Sequence, residues 1–83
     1  MSYSISITRS AQKSLAKIDK VRRAEIADQV KALSHNPRPV GSKKLTGRDA
    51  WRIRIGDFRV IYEIHDEQLV VIVIAIGHRR EIY

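Results

Sequence analysis

Cysteine is absent from the 83 residues, which excludes disulfides and thiolate metal sites. The histidines, His35, His65 and His78, are too scattered for a zinc motif, so no metal or other cofactor is expected. Long hydrophobic runs are also missing. The longest, Leu69–Ile76, suits a buried strand and is far too short to span a bilayer. The start, Met1–Ile5, has no basic segment followed by an apolar one, so it does not read as a signal peptide and the expected setting is the cytoplasm. No repeat, linker, Gly-rich phosphate loop, paired-carboxylate site or Ser/His/Asp arrangement stands out. The length allows one domain, 1–83, burying about 60–65% of the surface its unfolded form exposes.

What is abundant is positive charge. Sixteen Lys and Arg against nine Asp and Glu give a formal net charge of +7 and a pI near 10.3. Such an excess points to a polyanionic partner, with nucleic acid ahead of an acidic protein or an anionic membrane. Solubility alone is the plainer reading.

Tyr3–Ile7 alternates apolar residues with serine and predicts a half-buried strand. Thr8 is a helix N-cap, followed by Ala11, Leu15 and Ile18 on one helical face. A break at 18–20 precedes a second helix carrying Ile26, Val30 and Leu33, which Asn36-Pro37 ends. Arg38–Gly47 reads as a loop. The period then changes from 3.6 to 2, giving strands at Trp51–Ile55, Phe58–Ile64 and Leu69–Ile76. The last is expected to be buried on both faces and to end at Gly77. The reading is α+β, β-α-α-β-β-β, with two helices on one face of an antiparallel-rich sheet.

The strands 51–55 and 58–64 flank Gly56-Asp57, a two-residue turn with Gly at the first central position. With the turn there, opposed residues share a face. Trp51, Ile53, Ile55, Phe58, Val60 and Tyr62 form an uncharged face for the helices. Arg52, Arg54, Arg59, Ile61 and Glu63 form the other. Arg54 opposite Arg59 is a like-charge pair, which destabilises a sheet by about 0.2–1 kcal/mol. Glu63 can relieve part of this. A phosphate would relieve more, and arginine suits forked phosphate contacts. A solvated outer face is the competing meaning. The chain end, Gly77–Tyr83, puts Arg79, Arg80 and Tyr83 just past the last strand, either as working groups or as a basic tail. Lys43, Lys44 and Arg48 lead into the hairpin and either extend a basic groove or are solvated.

The motifs K-L-x-G at 44–47, W-R-I-R-x-G-D-F-R-V-I-Y at 51–62 and G-H-R-R-E-x-Y at 77–83 resemble the RelE/ParE superfamily of bacterial and archaeal toxins. The resemblance spans nearly the whole chain and includes its element order. It implies a toxin neutralised by a cognate, RelB-like antitoxin with an acidic amphipathic segment. On the RelE-like branch it implies a ribosome-dependent endoribonuclease that cleaves messenger RNA in the A site, next to ribosomal RNA. Its catalytic positions fall on Arg52, Arg54, Arg59, Arg79 and Tyr83. Lys43, Lys44, Arg48, His78 and Arg80 are expected to bind substrate, with His78 a further candidate for proton transfer. The ParE branch shares the fold, poisons DNA gyrase without RNA chemistry, and is the alternative.

Overall fold

The structure, a computed structural model, describes residues 2–78 and residue 80. Strand β1, Ser4–Ile7, leads into helices α1, Arg9–Ala16, and α2, Lys20–Ala32. A two-residue strand β2, Lys43–Lys44, follows, then β3, Trp51–Ile55, β4, Phe58–His65, and β5, Val70–His78. Among the described residues these strands form one sheet in the order β1-β5-β4-β3-β2. β1 runs parallel to β5, and the other neighbours are antiparallel.

Local chemistry accounts for the helix boundaries. The Thr8 hydroxyl accepts from the Ala11 N–H at 3.2 Å, and the Asp19 carboxylate accepts from the Arg22 N–H at 3.2 Å. Each side chain satisfies a backbone donor that has no partner inside its helix. Ala11, Ile26, Val30 and Leu33 meet Ile53, Ile55, Val60, Tyr62, Val71, Val73 and Ile76 in the core. Trp51 and Phe58 pack at its margin. This is the uncharged hairpin face expected from pairing about Gly56-Asp57, and the register matches residue by residue. Gly56 has φ +59 while Asp57 is not left-handed, as a type II′ turn requires.

The fold differs from the sequence reading in three places. The segment 38–47 is not all loop, because Lys43 and Lys44 pair with Arg52 and Trp51. The last strand does not end at Gly77. Gly77 pairs with Arg59 inside β5, and His78 pairs with Phe58. Nor is β5 buried on both faces: Val71, Val73 and Ile76 are buried, whereas Ile72, Ile74 and Ala75 are half-buried.

The spacing 71, 73, 76 reflects a bulge. Ile61 pairs with Ala75 but Tyr62 pairs with Val73, so Ile74 is extra on β5. The bulge switches which residues of β5 face the helices. An unbroken apolar run hides such a switch, because either alternation would look the same.

A polar corner closes the opposite end. Asp66 accepts from the Tyr3 hydroxyl at 2.6 Å and from both terminal nitrogens of Arg38 at 3.3 and 2.9 Å. The Arg38 guanidinium also lies 5.2 Å from the Trp51 ring centroid. Beneath it the Tyr62 hydroxyl donates to the Pro37 carbonyl at 2.7 Å, and burial pushes its pKa up to about 12. Among the described residues no helix is long and apolar enough to cross a membrane.

Candidate nucleic-acid interface

The sheet face turned away from the helices carries a small grid of side chains. Lys43, Arg52, Ile61 and Ala75 form one row across β2, β3, β4 and β5. Arg54, Arg59 and Gly77 form the next. Three arginines and a lysine thus share one face, over a floor of small or apolar residues. Ile61 is only 2% exposed although it lies on this side. Gly77, beside Arg59, has no side chain to compete with it for space, and it occupies that place because of the bulge.

Electrostatically the cluster is under tension. The Arg52 pKa is lowered, first by burial and then by the charges of Arg54 and Arg59. Its guanidinium donates to the Gly41 carbonyl at 3.4 Å, which joins it to the turn before β2. Glu63, expected to relieve the arginines, accepts instead from His65 Nε2 at 2.9 Å. Asp66 is held by Arg38, and Asp49 lies 3.8 Å from Lys44. The register thus sets several cationic donors close together on one face, a chemistry suited to phosphate oxygens.

The structure separates the remaining site candidates. Lys43 joins the arginine face through its pairing with Arg52. Lys44 pairs with Trp51, whose face meets the helices, and is not part of the cluster. Arg48 is exposed in the turn between β2 and β3. His78 pairs with Phe58, and its ring meets the Phe58 ring edge-on at 5.7 Å between centroids. It therefore lies across the sheet from Arg54 and Arg59. The exposed Arg80 donates its backbone N–H to His78 Nδ1 at 3.3 Å. Arg79 and Tyr83 lie outside the described residues. Sequence reasoning placed Ile61 on this face but did not identify Ala75 and Gly77 as the rest of its floor. The β4–β5 register exposes their role, and that register depends on the bulge.

Comparison with known proteins places this architecture. Residues 5–83 match the family model of the ParE toxin of type II toxin-antitoxin systems, parDE. A RelE-like Escherichia coli protein is 34% identical over 82 residues, covering 95% of this chain and 85% of that protein. Toxin RelG of Mycobacterium tuberculosis is 30% identical over 87 residues, covering 100% and 98%. Among solved structures, the archaeal RelE–RelB complex of Pyrococcus horikoshii matches with a TM-score of 0.85 at 27% identity, covering 95% of this chain and 97% of that one. The toxin-antitoxin complex RelBE2 of M. tuberculosis matches with a TM-score of 0.84 at 26% identity, covering 95% and 100%. The family model carries the ParE name while these individual relatives are RelE-type, and the chain belongs to the RelE/ParE superfamily of type II toxins, in its RelE-like branch.

Proposed function

We propose that this toxin is a ribosome-dependent endoribonuclease that cleaves messenger RNA in the A site and so stops translation. The observation that carries the reading is the like-charged grid of Arg52, Arg54 and Arg59 on the sheet face turned away from the helices, with Arg54 directly opposed to Arg59. Guanidinium forks set this close together suit the oxygens of a phosphodiester.

In the reaction, the RNA 2′-oxygen attacks the adjacent phosphorus, and the bond from phosphorus to the 5′-oxygen breaks. A cyclic 2′,3′-phosphate results, and the leaving 5′-oxygen takes a proton from water to become a 5′-hydroxyl. Arg59 and Arg79 hold the scissile phosphate, and Arg52 and Arg54 hold it or its neighbours. Tyr83 takes the 2′ proton. A phenol with a free pKa of about 10 needs nearby cations for that task, and the arginine face provides them. Arginine stays protonated, so Arg52, Arg54 and Arg59 act as fixed charges rather than proton donors. Lys43 lies beside Arg52 and extends the phosphate track. A protein with so little proton chemistry of its own depends on the ribosome to align the RNA, since positioning alone supplies a large share of such a barrier.

The reading also assigns a partner and a setting. RelB-bound relatives support a cognate antitoxin, one whose acidic amphipathic segment covers the arginine face. The setting is the cytoplasm, where messages are translated.

A translating extract tests the function. Arg79→Ala and Tyr83→Phe are expected to abolish message cleavage while leaving the fold intact; full cleavage by both overturns the assignment of those residues. The ParE family match favours one second reading, a gyrase inhibitor without RNA chemistry. On induction that reading requires DNA supercoiling to fail first, with messages left whole.

A further inference from the structure

We infer that a second RNA-binding surface runs along α1 to the cleft beside His78, on the side of the sheet opposite the arginine face. The inference deepens the RNA-directed reading above and rests on it. Arg9, Lys13 and Lys17 recur every four residues and form one exposed stripe. α1 contains no acidic residue to balance them. Like charges at that spacing destabilise a helix, and Arg9 sits in the first turn, where the helix dipole disfavours a cation. Lys13 and Lys17, toward the other end, are favoured by the dipole, so the unfavourable charge is centred on Arg9.

Shape agrees with charge. A hollow of about 450 Å³ lies along the stripe, lined by Arg9, Ser10, Lys13, Ser14 and Lys17. A second of about 440 Å³ lies between α1 and the hairpin tip, with Lys17, Asp19, Phe58 and His78 in its walls. Ser14 and Lys17 line both, so the two hollows adjoin along the stripe. The acid in the second, Asp19, is engaged as the N-cap of α2. His78 reaches this second hollow because the β5 bulge turns it away from the arginines. The hairpin tip thus has a basic surface on each side, suited to sitting between two RNA segments.

The chemistry favours RNA over an acidic protein. The exposed residues of α1 are Arg9, Ser10, Gln12, Lys13 and Ala16, and no large apolar side chain among them offers a protein partner area to bury. A phosphate backbone requires mainly charge.

The test uses the full chain and two probes, a short A-form RNA duplex and purified ribosomes, with binding measured against salt. Arg9→Ser/Lys13→Ser/Lys17→Ser is expected to weaken binding about tenfold or more and to shrink the log–log salt slope by about 2–3. Removing equal charge from α2, with Lys20→Ser/Arg22→Ser/Lys31→Ser, is expected to change the slope clearly less. The substituted side chains are exposed, and circular dichroism verifies folding. An unchanged slope for the α1 variant, or an equal loss from the α2 control, overturns the inference. So does weakened antitoxin capture by the α1 variant with RNA binding intact, which would make the face a protein interface. Message cleavage by the wild type is scored separately. If cleavage is absent while the α1 slope change persists, the enzymatic reading fails and the RNA surface stands.

Discussion

Two ends of this molecule use arginine in opposite ways. At the polar corner Arg38 forks onto Asp66, lies over Trp51, and has its pKa raised by the carboxylate. At the hairpin, Arg52, Arg54 and Arg59 face one another, and the pKa of Arg52 is lowered. The corner ties β1, the segment after α2 and the β4–β5 turn together. The hairpin sets like charges side by side on an already thin domain. Arg38 is matched by a carboxylate 2.9 Å away, whereas Arg52 feels the charges of Arg54 and Arg59.

That contrast breaks most sharply if activity and stability fail to separate. Arg59→Ala is expected to lower message cleavage by about 10²–10³-fold, as when one aimed donor to a developing oxyanion is lost. Its unfolding free energy should shift by no more than about 1 kcal/mol, the scale of a single cross-strand pair. Cleavage assays beside urea unfolding check both halves. A variant that loses stability along with activity would make Arg59 structural. The converse is Tyr62→Phe in the wall beneath the corner. It leaves the Pro37 carbonyl without its donor and is expected to cost about 1–3 kcal/mol of stability, with turnover per folded molecule unchanged.

Much of this was legible in the residues. The β-α-α-β-β-β order, the Thr8 N-cap and the hairpin register all follow from local patterns that tertiary context did not overrule. Gly56-Asp57 fixed the pairing, and the pairing placed Arg54 against Arg59. The apolar run 69–76 could not reveal its own bulge, since every residue in it suits either face. The fates of Gly77 and His78 hang on that bulge, so sequence alone left His78 beside the arginines. Glu63 was misjudged for a related reason. Its alternation gave the face correctly, but its neighbour on that face, His65, lies two residues along the same strand and is a nearer partner than any arginine.

Acid sharpens the comparison next. The Arg38 guanidinium and the Tyr3 hydroxyl hold the Asp66 carboxyl at about 2, well below its usual value. The folded pKa lies below the unfolded one, so this contribution is fully present above about pH 4. It is lost as pH falls through about 2, because the unfolded chain takes up the proton first. Denaturant unfolding at a series of acid pH values should show that decline. Asp66→Asn should flatten it by removing this group's share, while its stability at neutral pH is already reduced. Arg54→Gln removes no group that takes up a proton in acid, so it should leave the acid slope as it is.

The smallest expected effect bears most directly on the hairpin. Arg54 is exposed, sits on β3 opposite Arg59, and contributes to the lowered pKa of Arg52. Replacing it with threonine keeps a strand-favouring residue and removes the opposed charge, so the free protein should gain about 0.2–1 kcal/mol. Salt should do the same for the wild type, since screening weakens repulsion between exposed charges. Added salt should therefore narrow the gap between Arg54→Thr and wild type. If the gap instead stays constant, the gain comes from strand propensity, and repulsion between arginines is not what this face holds in reserve. A polyanion should reverse the order altogether: with RNA present the wild type gains more than the variant, because the charges that oppose one another in the free protein then share an anion.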